Sequence, residues 1–161
     1  MLVDAVSELR AKSCPVHVAV MGTGAGERVM WRRIQARQVQ AHISLAGEPR
    51  LWERLLPEVD ACVIPGRQCE LTIAPLLAMA LGKLVITSRD QPAEWFIEDR
   101  TCWQFTPGGA LELAYLLERA VEQPQRTAEM GRLAADYVRV HHSIHELVER
   151  LVEVYGLLCT R

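Results

Sequence analysis

"CELTIAPLLAMALGKLVITS", Cys69 to Ser88, reads as a loop, an apolar helix and a buried strand. Thr72 is placed to cap the helix, and Pro75 falls in its first turn, where a missing N–H is harmless. Gly82 stops the helix, and Leu84 to Thr87 reads as a strand. Outward from this stretch, apolar runs of strand length alternate with longer segments of helical period. That alternation predicts an α/β fold, a Rossmann-like open parallel sheet of about five strands with helices on both faces.

Toward the amino end, Leu2, Val3, Val6 and Leu9 form a helical stripe that Cys14-Pro15 closes, and Val16 to Met21 is a strand. "GTGAG" then leads into a polar, Arg-rich helix over Glu27 to Gln38, followed by a strand over His42 to Ala46. Leu51 to Leu56 reads as a short helix and Val59 to Ile64 as a strand broken by Pro65-Gly66. Toward the carboxyl end, Pro92 to Ile97 reads as a short helix and Thr101 to Phe105 as the last strand. Pro107-Gly108-Gly109 turns the chain into three helices that form a helical tail, the last opened by a capping box at Ser143 and Glu146. No repeat or linker interrupts the 161 residues, so one domain, 1–161, is expected.

Half of the residues are hydrophobic and a quarter charged, enough to bury a core. A net charge of −2 with scattered arginines argues against a nucleic-acid partner. The longest apolar runs, such as Ile73 to Leu81, are too short to span a bilayer, and Asp4 and Glu8 interrupt what a signal peptide would require, so a cytoplasmic chain without a transmembrane segment is expected. Five cysteines without metal-like spacing read as reduced thiols, and no metal or cofactor is expected. His141 and His145 have the spacing of one helix face, but Ser143 breaks the helix between them; His17 and His42 read as ordinary strand residues.

Ligands of an open parallel sheet sit beyond the carboxyl ends of the strands, where loops lead into helix N-termini that favour phosphate. Three loops qualify: Gly22 to Gly26, Gly47 to Arg50 and Gly66 to Thr72. The first is neither a dinucleotide fingerprint nor a P-loop; its glycines serve either a tight turn or the close approach of a ligand. The third is the best anion site, with Arg67 beside the helix N-terminus at Thr72; the alternative is a solvated surface loop. Cys69 beside that terminus has no positioned His base in the sequence.

The order of these pieces resembles the C-terminal, donor-binding half of the retaining "group 1" glycosyltransferases of GT-B fold. "VHVAVMGTGAGER" is similar to that family's strand and Gly-rich turn, and "ISLAGEP" to its next strand end. "VDACVIPGRQCE" is similar to "aDvfvlPS…E", "LLAMALGKLVITS" to "LEAMAxGxPVvas", and the stretch from "AEWFIEDR" to "RTAEMG" to the family's tail. The resemblance implies a donor site for a UDP-, GDP- or ADP-sugar built from Gly22, Gly24, Gly47, Glu48, Arg67, Cys69, Leu71, Thr72, Leu77 and Glu94. The family's Glu-x7-Glu pair falls on Cys69 and Leu77, neither a carboxylate; Glu70, one residue off, is the candidate catalytic residue if a gap is allowed. Leu in place of a ribose-binding carboxylate leaves hydroxyls unpaired, at a cost of about 1–3 kcal/mol. Asp90-Gln91 and Trp103 stand where the family has glycines, adding bulk and charge that oppose a diphosphate.

The chain begins inside what resembles the family's first helix. The resemblance therefore implies that the preceding strand, its Arg/Lys pair and the acceptor-binding N-terminal domain lie outside this sequence. A glycosyltransferase-like donor domain that does not catalyse hexosyl transfer alone is the expectation, with an acceptor domain in trans or a homo-oligomer as partner. The alternatives are a non-catalytic interaction module on the same scaffold and half of a sugar-nucleotide epimerase.

Overall fold

The computed structural model describes residues 1–47, 52–65, 73–91 and 93–159. Helix α1 (Leu2–Ala11) buries Val3, Val6 and Leu9 of the stripe read from the sequence and Ala5 besides, while Leu2 is only half-buried. It ends at Ala11 rather than at Cys14-Pro15. Ser13 takes a left-handed φ of 56°, which lets the Cys14 N–H reach back to the Leu9 carbonyl at 2.9 Å. The Val16 N–H then turns onto the Cys14 carbonyl, so strand β1 (Val18–Met21) starts two residues later than its apolar run.

Helix α2 (Glu27–Ala36) and strand β2 (Ile43–Ala46) follow, then helix α3 (Trp52–Leu55), a 3-10 turn (Leu56–Glu58) and strand β3 (Ala61–Ile64). Helix α4 (Ile73–Ala80) holds Pro75 in its first turn. Gly82, at φ 69°, donates to Met79 and Lys83 donates to Ala78, the paired carboxyl-terminal bonds that a left-handed glycine makes possible. Strand β4 (Leu84–Ser88) is buried at every residue, strand β5 (Trp103–Phe105) nearly so. The chain closes with α5 (Ala110–Glu122), α6 (Pro124–His141) and α7 (Ile144–Cys159).

Residues 93–97 are not the expected helix. The buried Thr101 hydroxyl accepts the Ile97 N–H at 2.8 Å and donates to the Trp95 carbonyl at 2.5 Å, and Gln104 Nε2 donates to the Phe96 carbonyl at 2.9 Å. Side chains thus take the backbone groups a helix would have paired internally. Thr101 itself is a turn residue, leaving β5 to begin at Trp103.

All strand pairs are parallel, but they form two ladders. β1 pairs with β2 from Val18↔Ile43 to Met21↔Ala46; β3, β4 and β5 form the second, with Ile64↔Thr87 and Ser88↔Phe105 at its carboxyl end. On one face, α1 and α5 cover Ile86, Trp103 and Phe105, while α1 and α2 cover Ile43. On the other face, α4 and α6 enclose Val85, Cys102 and Ile64. Helices on both faces of parallel strands make this the Rossmann-like α/β fold expected from the sequence.

Asp4 ties α1 to α2, pairing with the Met1 ammonium at 2.8 Å, Arg33 at 2.8 Å and Arg37 at 2.9 Å. The hydrogen bond from that ammonium holds its carboxyl below the usual value, against the opposing effect of burial, with Arg33 and Arg37 adding to the lowering. A depressed folded-state pKa gives stability that is present above the unfolded value near 3.9 and lost as pH falls through the folded value. Asp4→Asn is expected to flatten the acid limb of stability against pH below about pH 4. An unchanged limb in urea titrations between pH 2 and 7 would exclude Asp4 as its source.

At α7 the Glu146 N–H donates to Ser143 Oγ at 3.2 Å, one half of the expected capping box, while the Glu146 carboxylate accepts from Arg150 Nε at 3.0 Å. Ile144, Leu147, Val148, Leu151 and Tyr155 of this helix are exposed. Among the described residues, no helix is long and apolar enough to cross a membrane.

Candidate functional site

The carboxyl ends of the strands bring two of the three glycine loops together. Gly22 follows β1 with φ 121° and donates its N–H to the Ala46 carbonyl at 3.3 Å, binding the start of the first loop to the end of β2. A side chain at Gly47 would meet Thr23 Cγ2 at 3.6 Å, so the two loops touch. Nothing lies within 4 Å of where a Cβ would sit at Gly22 or Gly24, so the loop leaves open space above its backbone. Gly26 caps α2, whose N-terminal N–H groups open at the same edge.

In the second ladder, β4 ends in buried Thr87 and Ser88. Ser88 donates to Asp90 Oδ1 at 2.6 Å, which occupies one oxygen of the carboxylate that the sequence set against a diphosphate. Thr87 Oγ1 is buried without a hydrogen-bond partner among the described residues. Thr87 has the same parity as Val85, so it lies on the face that α4 covers, and α4 runs back from this edge. The sequence signal for Thr87 was slight: a polar residue ending a buried apolar strand.

Glu94 sits exposed in the turn after β4. Leu77, at the second position of the carboxylate pair, is partly buried against the cluster of Leu56, Ile64, Ala78 and Val85. An apolar contact therefore stands at the position that the resemblance aligned with the family's second carboxylate. Glu48, Arg67, Cys69, Glu70, Leu71 and Thr72 lie outside the described residues.

Trp103 is not near this edge. It is 1% exposed at the amino end of β5, in the core with Leu9 and Leu113, and the Arg119 guanidinium lies 4.4 Å from its ring centroid. Its bulk fills the interior and does not oppose a ligand, which corrects the sequence reading.

Other candidate chemistry is structural. Burial pushes the thiols of Cys62 up to about 11 and Cys102 up to about 12. His17 Nε2 lies 2.8 Å from Ser44 Oγ, and His145 pairs with Glu149 at 3.1 Å. His142 packs edge-on to Trp95 at 5.4 Å between centroids. Burial lowers its pKa, helped by His141 and Arg150. Among the described residues, no group of three His, Cys, Asp or Glu side chains is placed to hold a metal ion.

Parallel strands, covering helices and glycine loops at the carboxyl edge define a Rossmann-like class of α/β domain. The chain belongs to a family within that class: residues 1–123 match the model of the glycosyl transferases group 1. Solved structures share the fold. Anabaena HepE in complex with UDP-glucose superposes with a TM-score of 0.83 at 20% identity, covering 96% of this chain and 44% of that one. Sucrose-phosphate synthase from Thermosynechococcus elongatus gives 0.83 at 18%, covering 99% and 42%. The C-terminal domain of the glycosyl transferase LpcC from Francisella tularensis gives 0.75 at 15%, covering 88% and 77%. The chain thus spans less than half the length of the first two. No curated protein sequence matches it significantly.

Proposed function

We propose that this chain is the donor-binding half of a group 1 glycosyltransferase, holding a nucleotide-sugar at the carboxyl edge of its strands and acting together with an acceptor-binding polypeptide. The observation that carries this reading is the contact between the Gly22–Gly24 loop and Gly47, with open space above the first loop's backbone. Glycines at such an edge admit a diphosphate close to the main chain. Arg67 supplies the positive charge in this proposal, and the helix N-terminus at Thr72 supplies free N–H groups that stabilise a leaving phosphate. UDP-type donors come first because HepE was crystallised with UDP-glucose.

Catalysis by the chain alone is not part of the proposal. Transfer requires two reactants held in one geometry, and a donor half positions only one of them. The packing of Leu77 into an apolar cluster favours a second reading, a module that binds donor weakly or not at all and serves as an interaction partner.

Calorimetric titration with UDP, GDP, ADP and UDP-glucose separates the two. The first reading expects saturable binding to one nucleotide series, weakened at least about tenfold by Arg67→Ala through loss of a charge-assisted contact. Gly22→Ala is expected to abolish it, since φ 121° disfavours any side chain. Absence of binding at millimolar nucleotide would support the interaction module instead.

A further inference from the structure

The outer edge of strand β2 carries main-chain groups that no described residue takes up. Val18 and Gly22 donate to the carbonyls of His42 and Ala46, so the even-numbered residues of β2 face β1. By alternation, Ile43 and Leu45 turn their N–H and C=O groups the other way. Among the described residues β2 pairs with β1 alone, and neither Ile43 nor Leu45 has a main-chain bond on that outer side. The edge is thus a template onto which an extended chain can add.

A groove runs beside it. Leu45 forms one wall, and Glu27, Arg28, Trp31 and Arg32 of α2 form the other. The Trp31 indole is 43% exposed and offers an apolar shelf. Arg33 and Arg37 of the same helix are held by Asp4, whereas Arg28 and Arg32 have no ion pair among the described residues. Their guanidinium groups, against the one carboxylate of Glu27, leave the groove positive. Four residues of helix rise about 6 Å, so Arg28 and Arg32 stand nearly as far apart along α2 as alternate residues of a strand, about 6.6 Å.

We propose that the outer edge of β2 and this groove form a docking site for an extended acidic segment of another polypeptide, which adds as a strand beyond β2 and presents carboxylates at alternate positions to Arg28 and Arg32. The stems of those acidic side chains lie on Trp31 and Leu45, and the residues between them turn to the opposite face, where Ser44 is exposed. A second copy of this chain paired edge to edge would bring two sets of Arg28 and Arg32 to one seam, and facing like charges oppose it. The inference goes beyond the donor-half reading and is tested without nucleotide, so either can fail alone.

The probe is the acetylated and amidated heptapeptide Val-Thr-Glu-Thr-Glu-Thr-Val, which reads the same from either end and so offers its carboxylate pair in either strand sense. Added to the full chain, it is expected to slow amide exchange by about tenfold or more at Ile43 and Leu45 together, and to shift the Trp31 indole N–H resonance. Arg28→Gln combined with Arg32→Gln should weaken binding by about tenfold or more through the loss of charge-assisted contacts, as should Gln at both acidic positions of the peptide. With proline at its central threonine the peptide keeps both carboxylates but pairs poorly, and protection of Ile43 and Leu45 should be lost. Affinity unchanged in the double variant overturns the charge pairing, and equal binding of the proline peptide overturns strand addition. Slowing at Ala19 and Met21 in place of Ile43 and Leu45 would put the strand at the other edge of β1 and overturn the site. Equal slowing on concentrating the chain without peptide would make the occupant a second copy and overturn the assignment to another polypeptide. Exchange at Ile43 and Leu45 that is unchanged at millimolar peptide overturns the proposal as a whole.

Discussion

Gly131→Ala is expected to destabilise the chain by about 3 kcal/mol or more, at the upper end for overpacking. Gly131 lies buried in α6 where that helix crosses the end of α4. A Cβ there would stand 1.8 Å from the Gly82 carbonyl oxygen and 2.6 Å from its carbon. Both atoms are main chain, so no rotamer can relieve the contact. Gly82 is itself held at φ 69° by the bonds that end α4, and Lys83 leads directly into fully buried β4. The strain must be taken up by separating α6 from α4, which opens the cluster of Met79, Val85, Cys102 and Ala134. Against a total stability of about 5–15 kcal/mol, such a loss puts folding itself at risk. Gly156→Ala in α7 is the control: its Cβ enters open space, and the better helix propensity is expected to leave stability unchanged or raise it by up to about 1 kcal/mol. Urea unfolding of both variants checks the pair. A loss below about 1 kcal/mol for Gly131→Ala would mean that the two glycines are not in contact.

Signals carried by single residues were legible before the structure. Pro75 and Gly82 punctuate α4 as read, the strand read over Leu84 to Thr87 is buried at every position, and the loops at Gly22 and Gly47 do meet at one edge. What the sequence hid depends on partners far along the chain. Residues 93–97 have helical composition, but Thr101 and Gln104 take their backbone groups. The apolar run from Val16 promised a longer β1, but β2 begins only at Ile43, so pairing starts at Val18. The split into two ladders left no local trace, because strand adjacency is a property of the assembled sheet. At the candidate site, the glycine positions were legible because they encode backbone geometry. The role of Leu77 was legible only in the negative, as the absence of a carboxylate, until its packing against the α4 cluster gave it a structural function.

Trp103 reverses a sequence argument outright, and its replacement carries the second large effect. Trp103→Gly, which installs the glycine typical of the family, is expected to cost about 3 kcal/mol and to leave nucleotide affinity unchanged. Removing a buried indole costs about 3–5 kcal/mol in lost burial and cavity formation. Glycine within a strand adds about 0.5–1 kcal/mol. One effect opposes these: Trp103 Nε1 is buried without a partner among the described residues, and deleting an orphaned donor recovers about 1–3 kcal/mol. Burial outweighs that recovery because the ring is shared by Leu9, Ile86, Phe105 and Leu113 and capped by Arg119 at 4.4 Å. Its neighbours span α1, β4 and α5, so the hole cannot be closed by moving one element. Affinity is expected to stay constant because Trp103 pairs with Ile86, two positions before the carboxyl end of β4, and belongs to the cluster beneath α5 rather than to the loop edge. Parallel denaturation and UDP titration of the variant decide the matter. Tighter binding with unchanged stability would return Trp103 to the ligand site, whereas lost stability with constant affinity assigns it to the core.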